Sequence, residues 1–315
     1  MSKNLSTKLL FIITVILSIV SLFVGVSDIS IFNIGKEELD IILISRVPRL
    51  ISILFAGIGM SISGIIMQQI GNNKFVSPST AGTIDSAKLG VLMALVLIPK
   101  PSTSQKIVIS FIFAVLGTFI FMRILKMLKV KDIIFIPLVG IMLGNVVGSI
   151  ADFIAYKNDL SQNMGSFLRG SFTTIIKGNY EMLYLTIPLL VAAFLYANKF
   201  NLIGMGEDIS VGLGLNYKLV SNIGVIIVSL ISALVVIVIG NIPFLGLVIP
   251  NIVSIMKGDN LQKNMPFIAM LGASFLLVCD IISRIIIFPY EIPIEMTVGV
   301  IGGAIFLYLI FRRNK

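Results

Sequence analysis

Apolar residues fall in ten runs along the 315-residue chain, near 8–27, 47–70, 81–98, 106–128, 133–156, 181–199, 219–240, 244–256, 265–287 and 294–311. Short polar segments separate them. A helix crosses a bilayer with about 20 mostly apolar residues, and most of the runs reach that length. Amphipathic periodicity cannot decide the matter, because a buried span is apolar on all sides. The pattern predicts an all-α integral membrane protein with about ten transmembrane helices in one domain, residues 1–315. The eighth run holds "IPFLGLVIP". Pro243 and Pro250 interrupt regular hydrogen bonding there, so a bent or partial crossing is expected. No convincing small-residue cleavage site follows Lys8–Ser27, and this run reads as a retained first span.

Composition agrees with the pattern. The chain is 57% hydrophobic and 12% charged, against about 25% charged in soluble domains. The net charge of +9 points to basic cytoplasmic segments and not to nucleic acid. With the N-terminus inside, Lys3, Lys8, Lys74, Arg123, Lys126, Lys129, Lys131, Lys199, Lys218, Lys257, Lys263, Arg312, Arg313 and Lys315 lie on the cytoplasmic side. The acids Asp28, Glu37, Glu38, Asp40, Asp159 and Glu181 lie outside. Both termini are then cytoplasmic, in a multi-pass protein of the cell membrane.

Several chemistries drop out. There is no histidine, and Cys279 is the single cysteine. Structural zinc, haem, iron–sulfur clusters and disulfide frameworks need more ligands than that. No metal site is expected, and Cys279 reads as a small hydrophobe. The phosphate-binding pattern G-x-x-x-x-G-K-[ST] is missing from the sequence, so no ATP hydrolysis is expected on this chain through it. No enzyme activity is expected.

The ionisable residues in or near the runs become candidates: Asp85, Lys88, Asp152, Asp280, Arg284, Glu291 and Glu295. Asp280 and Arg284, four apart, can pair on one helix face. Gly140, Gly144 and Gly148 leave one side of the fifth run as bare backbone. Asn145, Ser149 and Asp152 form a polar stripe beside it. Close packing and a pathway lining both fit this stripe. The second run repeats the habit with Gly57, Gly59, Ser61, Ser63 and Gly64, behind Arg46 and Arg49. The segment "FNLIGMGEDISVGLGLNYKLV" is too polar for membrane and too apolar for a plain connector. Short helices between glycine breaks, presented to a partner, are expected at about 200–218.

Taken together, "SRVPRLISILFAGIGMSISGIIMQQ", "NKFVSPSTAGT", "GEDISVGLGLNYKLV", "GNIPFLGLVIPNIV" and "EIPIEMTVGVIGGAIFLYLIFRR" resemble, in order, the iron-siderophore and vitamin B12 permease family of ABC importers, the FecCD type. "IIIFPYEI" resembles the branch that imports catecholate siderophores such as petrobactin in Gram-positive bacteria. The resemblance implies a type II importer permease fold and a permease subunit that moves a ferric siderophore inward. It implies a second permease subunit, a heterodimer being favoured over a homodimer. It also implies two ATPases that bind ATP and magnesium, and an extracellular lipid-anchored siderophore-binding protein. By the same resemblance, Arg46, Arg49 and Arg284 are docking charges for that binding protein. Gly206, Glu207, Asp208, Gly212, Leu213 and Gly214 belong to the ATPase coupling loop. Asn145, Ser149, Asp152 and Glu295 are translocation-path candidates. This chain has Pro250-Asn251 where the family often has Pro-His, and Glu295 where many members have glycine. Glu295 is expected to tune the gate or to repel anionic chelates. The competing readings are an ion-coupled secondary transporter, a membrane enzyme, and an ABC permease for haem or cobalamin.

Overall fold

A computed structural model describes residues 6–25, 35–127, 135–162, 165 and 168–313. Lys3, Asp28, Lys129, Lys131 and Lys315 from the expected charge bias lie outside the described residues, as do the side chains of Glu37, Glu38, Arg312 and Arg313.

The regular elements among the described residues are all helices, with no strand beyond an isolated bridge between Ile287 and Tyr290. The helices are α1 Thr7–Phe23, α2 Lys36–Ile41, α3 Val47–Ile70, α4 Thr83–Leu97, α5 Thr103–Met127, α6 Phe135–Lys157, α7 Thr186–Leu195, α8 Ala197–Ile203, α9 Glu207–Gly212, α10 Tyr217–Val238, α11 Leu245–Lys257, α12 Leu261–Ile285 and α13 Ile294–Arg313. A π-turn, Ile42–Arg46, joins α2 to α3, so that 39–70 is one helix of 32 residues. The sixth apolar run is bent by 61° between the α7 and α8 segments.

Among the described residues, six helices have the length and apolarity of a membrane span, or seven if the bent α7–α8 pair is one crossing. The expected ten is not reached by this measure because α1, α4 and α11 have only 17, 15 and 13 residues. At 1.5 Å per residue they extend about 20–25 Å, short of a ~30 Å apolar layer. In α11 the shortening precedes Pro250. Gly240 (φ +96°) and Phe244 (φ +60°) turn the chain before the helix starts, and Pro250 then sits inside a regular helix. Proline offers no N–H to the carbonyl of Gly246 four residues back, and Gly64 of α3 packs onto that carbonyl.

α3, α10 and α12 form the centre, with 72%, 72% and 61% of their apolar windows buried. Small residues make this possible. A Cβ on Gly64 would lie 1.9 Å from the Gly246 oxygen, and one on Gly57 would lie 2.7 Å from the Ala273 backbone. α1 leans on α12, tied by Thr14 and Ser274 hydroxyls at 2.8 Å. α4 lies along α5, where Thr83 and Thr118 meet at 2.7 Å and Ser110 donates to the Ala87 carbonyl. α6 and α13 stay at the periphery, only 17% and 22% buried.

Candidate functional site: a charged end, a lateral cavity and an exposed short helix

One end of the bundle gathers the C-termini of α1 and α12 with the N-terminus of α3. Arg46, Arg49 and Arg284 meet here, at 8%, 9% and 4% exposure. Arg46 donates to the carbonyls of Leu22 and Val24. Arg49 donates to Asp280 (2.8 and 3.2 Å) and to both oxygens of Glu291 (2.8 and 3.1 Å). Arg284 pairs with Asp280 one helical turn back, and donates to the Ser21 and Val24 carbonyls and the Ser21 hydroxyl. The expected i, i+4 pair is therefore formed, and Asp280, fully buried, is shared by two arginines.

The sequence expectation is of docking charges, with Arg284 paired to Asp280; the structure adds that all three arginines are buried and engaged. The physical reason is the unpaired carbonyls at the end of α1, which carry partial negative charge, together with two carboxylates. Between them they draw all three guanidinium groups inward. Sequence reasoning flagged Asp280 as a partner of Arg284 and left Glu291 without a role. The neighbouring "FPYEIP" turn brings Glu291 back over Arg49, a return that no spacing rule predicts.

Beside this end, a cavity of about 680 Å³ opens between α4, α6 and the start of α13. Asp85, Lys88, Asp152, Arg169 and Glu295 line it. Asp85 and Lys88 form an ion pair of 3.3 Å, while Asp152 and Arg169 are exposed. Glu295 is held by Asn241 Nδ2 at 2.6 Å and by the Gly170 N–H at 3.3 Å. Its own N–H donates to the Gly170 carbonyl. Around it, Asn241 N–H donates to Leu168 O, and Ser171 N–H to Ile239 O. Glu295 is thus a fastener between residues 168–171 and 239–241, and its carboxylate is engaged on both oxygens. The sequence did not single out Asn241, Arg169 or Gly170. An arginine beside glycine in a short connector was the available signal.

Asn145 and Ser149 do not line this cavity. They border a shallow, open depression of about 460 Å³ with Val146, Ile150 and Phe153 on the exposed face of α6. Two of the four path candidates, Asp152 and Glu295, come together, and the other two lie on an adjoining surface. The glycine stripe splits as well. Gly140 and Gly144 pack against Thr80 and Asp85, while Gly148 has open space in front of it.

The opposite end holds α9. Gly206 (φ +107°) and Gly214 (φ +81°) bracket it, and Gly212 is its last residue and not a break. The Ser210 hydroxyl donates to the carbonyls of Leu202 and Gly206, fixing α9 against α8. Met205, Ile209, Val211 and Leu213 are each more than half exposed. Glu207 reaches Lys126 of α5 at 3.7 Å, and Asp208 is exposed. At the same end Asn251 donates to the Lys74 and Leu247 carbonyls, and Lys74 pairs with Asp259 at 2.7 Å. The Asn251 amide therefore ties α11 to the segment after α3.

No His, Cys, Asp or Glu grouping among the described residues could hold a metal ion.

Comparison with known proteins adds the lineage. The chain is 56% identical over 310 residues to the petrobactin import system permease protein YclN of Bacillus subtilis, covering 98% of each chain. It is 38% identical to the petrobactin import system permease protein FatD of Bacillus anthracis, covering 96% of this chain and 90% of that one. It is 36% identical to the ferric-anguibactin transport system permease protein FatD of Vibrio anguillarum, covering 94% and 95%. Among solved structures, the fold matches an inward-facing metal-chelate type ABC transporter with TM-score 0.82 at 22% identity, over 97% of this chain and 98% of that one. A family model for the FecCD transport family matches residues 10–312, and the chain belongs to that family.

Proposed function

We propose that this chain is the permease subunit of an ATP-driven importer that carries a ferric siderophore, of catecholate type such as petrobactin, across the cell membrane. The observation that carries this reading is identity over nearly the full length to permeases of petrobactin import systems. The cavity between α4, α6 and α13 supports it, because its volume lies in the range that accommodates a compact organic ligand. Its wall mixes both signs of charge, so a chelate passes without a strong trap.

The passes are α1, α3, α4, α5, α6, bent α7–α8, α10, α11, α12 and α13, ten in all, with both termini cytoplasmic. Of the short ones, α4 and α11 pack among longer neighbours, and α1 turns a broad apolar face outward. α6 and α13, poorly covered, are the faces for a second permease, here taken as an unlike subunit. That partner would close the open depression at Asn145 and Ser149, since polar side chains on an exposed span favour protein or water over lipid. α9, with its exposed apolar residues and Glu207 and Asp208 at its start, is the ATPase contact. The ATPases bind ATP and magnesium, and this chain holds no cofactor. The arginine end faces outward, toward a lipid-anchored binding protein. Buried as they are, Arg46, Arg49 and Arg284 shape that docking surface by fixing the ends of α1 and α12. Specificity for the siderophore resides mainly in the binding protein.

An ion-coupled transporter would need a lone carboxylate deep in the bilayer. Of the two carboxylates that could serve, Asp85 is paired with Lys88 and Asp152 is exposed in the last two turns of α6, which weakens that alternative.

The test is uptake of radiolabelled iron presented as ferric petrobactin to iron-starved cells. Deletion of this chain should abolish uptake, and the gene should restore it. A copy with Glu207→Lys and Asp208→Lys should insert in the membrane, lose ATPase co-purification and fail to restore uptake. Uptake that stops with a protonophore at constant ATP would overturn the ABC reading.

A further inference from the structure

At the α9 end, a cavity of about 490 Å³ opens between the last turns of α5 and the first turns of α10. Arg123, Lys126 and Lys218 surround its mouth, and Phe119, Met122 and Val225 form its inner wall. Among the described residues, only Lys126 of the three cations has an ion-pair partner, Glu207 at 3.7 Å, with both side chains about half exposed. Arg123 and Lys218 are exposed and pair with no carboxylate among the described residues. Further along the same two helices, Ile120 and Ile226 present apolar side chains outward. The sequence of environments along the α5–α10 flank is therefore apolar wall, then cations, then water.

We propose that this pocket binds the headgroup of an anionic phospholipid from the leaflet on the α9 side. The phosphate sits between Arg123 and Lys218, and the acyl chains run along Phe119, Met122 and Val225. Basic pockets between spans at the membrane–water boundary are suited to this, because charge attraction and apolar contact act at the right depths together. A diffuse positive-inside bias needs no concavity, whereas here the cations converge on one. Lys126 places the site beside the proposed ATPase contact, because it lies 3.7 Å from Glu207 at the start of α9. The inference requires that these helices cross a membrane and is independent of the cargo.

The test uses the purified full chain, delipidated and titrated with phosphatidylglycerol or phosphatidylcholine, with bound lipid read by native mass spectrometry. Phosphatidylglycerol should be retained preferentially. Arg123→Gln with Lys218→Gln should weaken it roughly thirtyfold, each lost charge contributing about a factor of five, and leave phosphatidylcholine unchanged. The charge-retaining pair Arg123→Lys with Lys218→Arg should keep the preference. Equal retention of the two lipids by the wild-type chain would overturn the proposal, with no variant needed. So would displacement of phosphatidylglycerol by millimolar inorganic phosphate, which would mark a free-anion site. Loss of ATPase co-purification in the glutamine pair with lipid retention unchanged would assign the pocket to the ATPase and also overturn it.

Discussion

Asp280 has no exposed surface and serves Arg49 and Arg284 at once. Breaking a buried ion cluster leaves charge uncompensated, which typically costs about 3–5 kcal/mol. Asp280→Asn should lower thermal stability in detergent by that order, while Arg46 keeps its two carbonyl partners. An exposed pair behaves differently: Lys74→Met, opposite a 63% exposed Asp259, should cost about 0–1 kcal/mol. Melting curves of the two variants side by side check both. If Asp280→Asn melts like the wild type, the cluster does not hold the ends of α1 and α12 together. At this scale the sequence was only partly legible. The Asp280–Arg284 spacing gave their contact directly, since four residues on a helix determine it. Burial of Arg46 and Arg49 was not readable, because it depends on α1 carbonyls for Arg46 and on Asp280 and Glu291 for Arg49, groups adjacent to them only in space.

Elements were the most legible scale. Nearly every apolar run became a helix with ends displaced by a few residues, because uninterrupted apolarity leaves the backbone no partner but itself in a bilayer. The bend between α7 and α8 had no marker, for no glycine or proline stands at the break, whereas the π-turn before α3 is followed by Pro48, which offers no N–H to the Ile44 carbonyl. The glycines of α3 were legible as a packing face, though their partners were not. Those partners prove to be Gly246 of α11 and Gly272 of α12. Gly64→Ala would drive a methyl into a carbonyl that cannot swing away, since it belongs to helix backbone. A loss of about 1–3 kcal/mol is expected, seen as a lower melting temperature and reduced yield in the membrane. Gly212→Ala, with open space around it, should be silent in the same assay.

For the whole molecule, the family and its overall plan were legible from five segments in order, whereas the cavity was not. Its wall combines α4, α6 and α13 with the 168–171 segment, pieces from distant parts of the chain. Glu295 illustrates the difference. From sequence it was a carboxylate at the mouth of a path. In the structure both its oxygens are bonded to Asn241 and Gly170. Hydrogen bonds to a charged group contribute about 1.5–3 kcal/mol, so Glu295→Gln should lower the melting temperature and slow iron uptake together. A charge that merely repelled anionic cargo would change the apparent substrate affinity with stability intact. Measuring melting and uptake kinetics on the one variant separates the two roles, and no change in either would remove Glu295 from the mechanism.

Tied to Gly170 and Asn241, the start of α13 cannot swing independently of the two connectors beside it. Mechanically these three pieces are one jaw. Asp152 and Tyr156, on the far wall and without such ties among the described residues, belong to the other. Opening toward the outside would then be a motion of α6, with its apolar flank sliding against whatever covers it. A second subunit seated there, as proposed, would thus be part of the door as well as part of the wall.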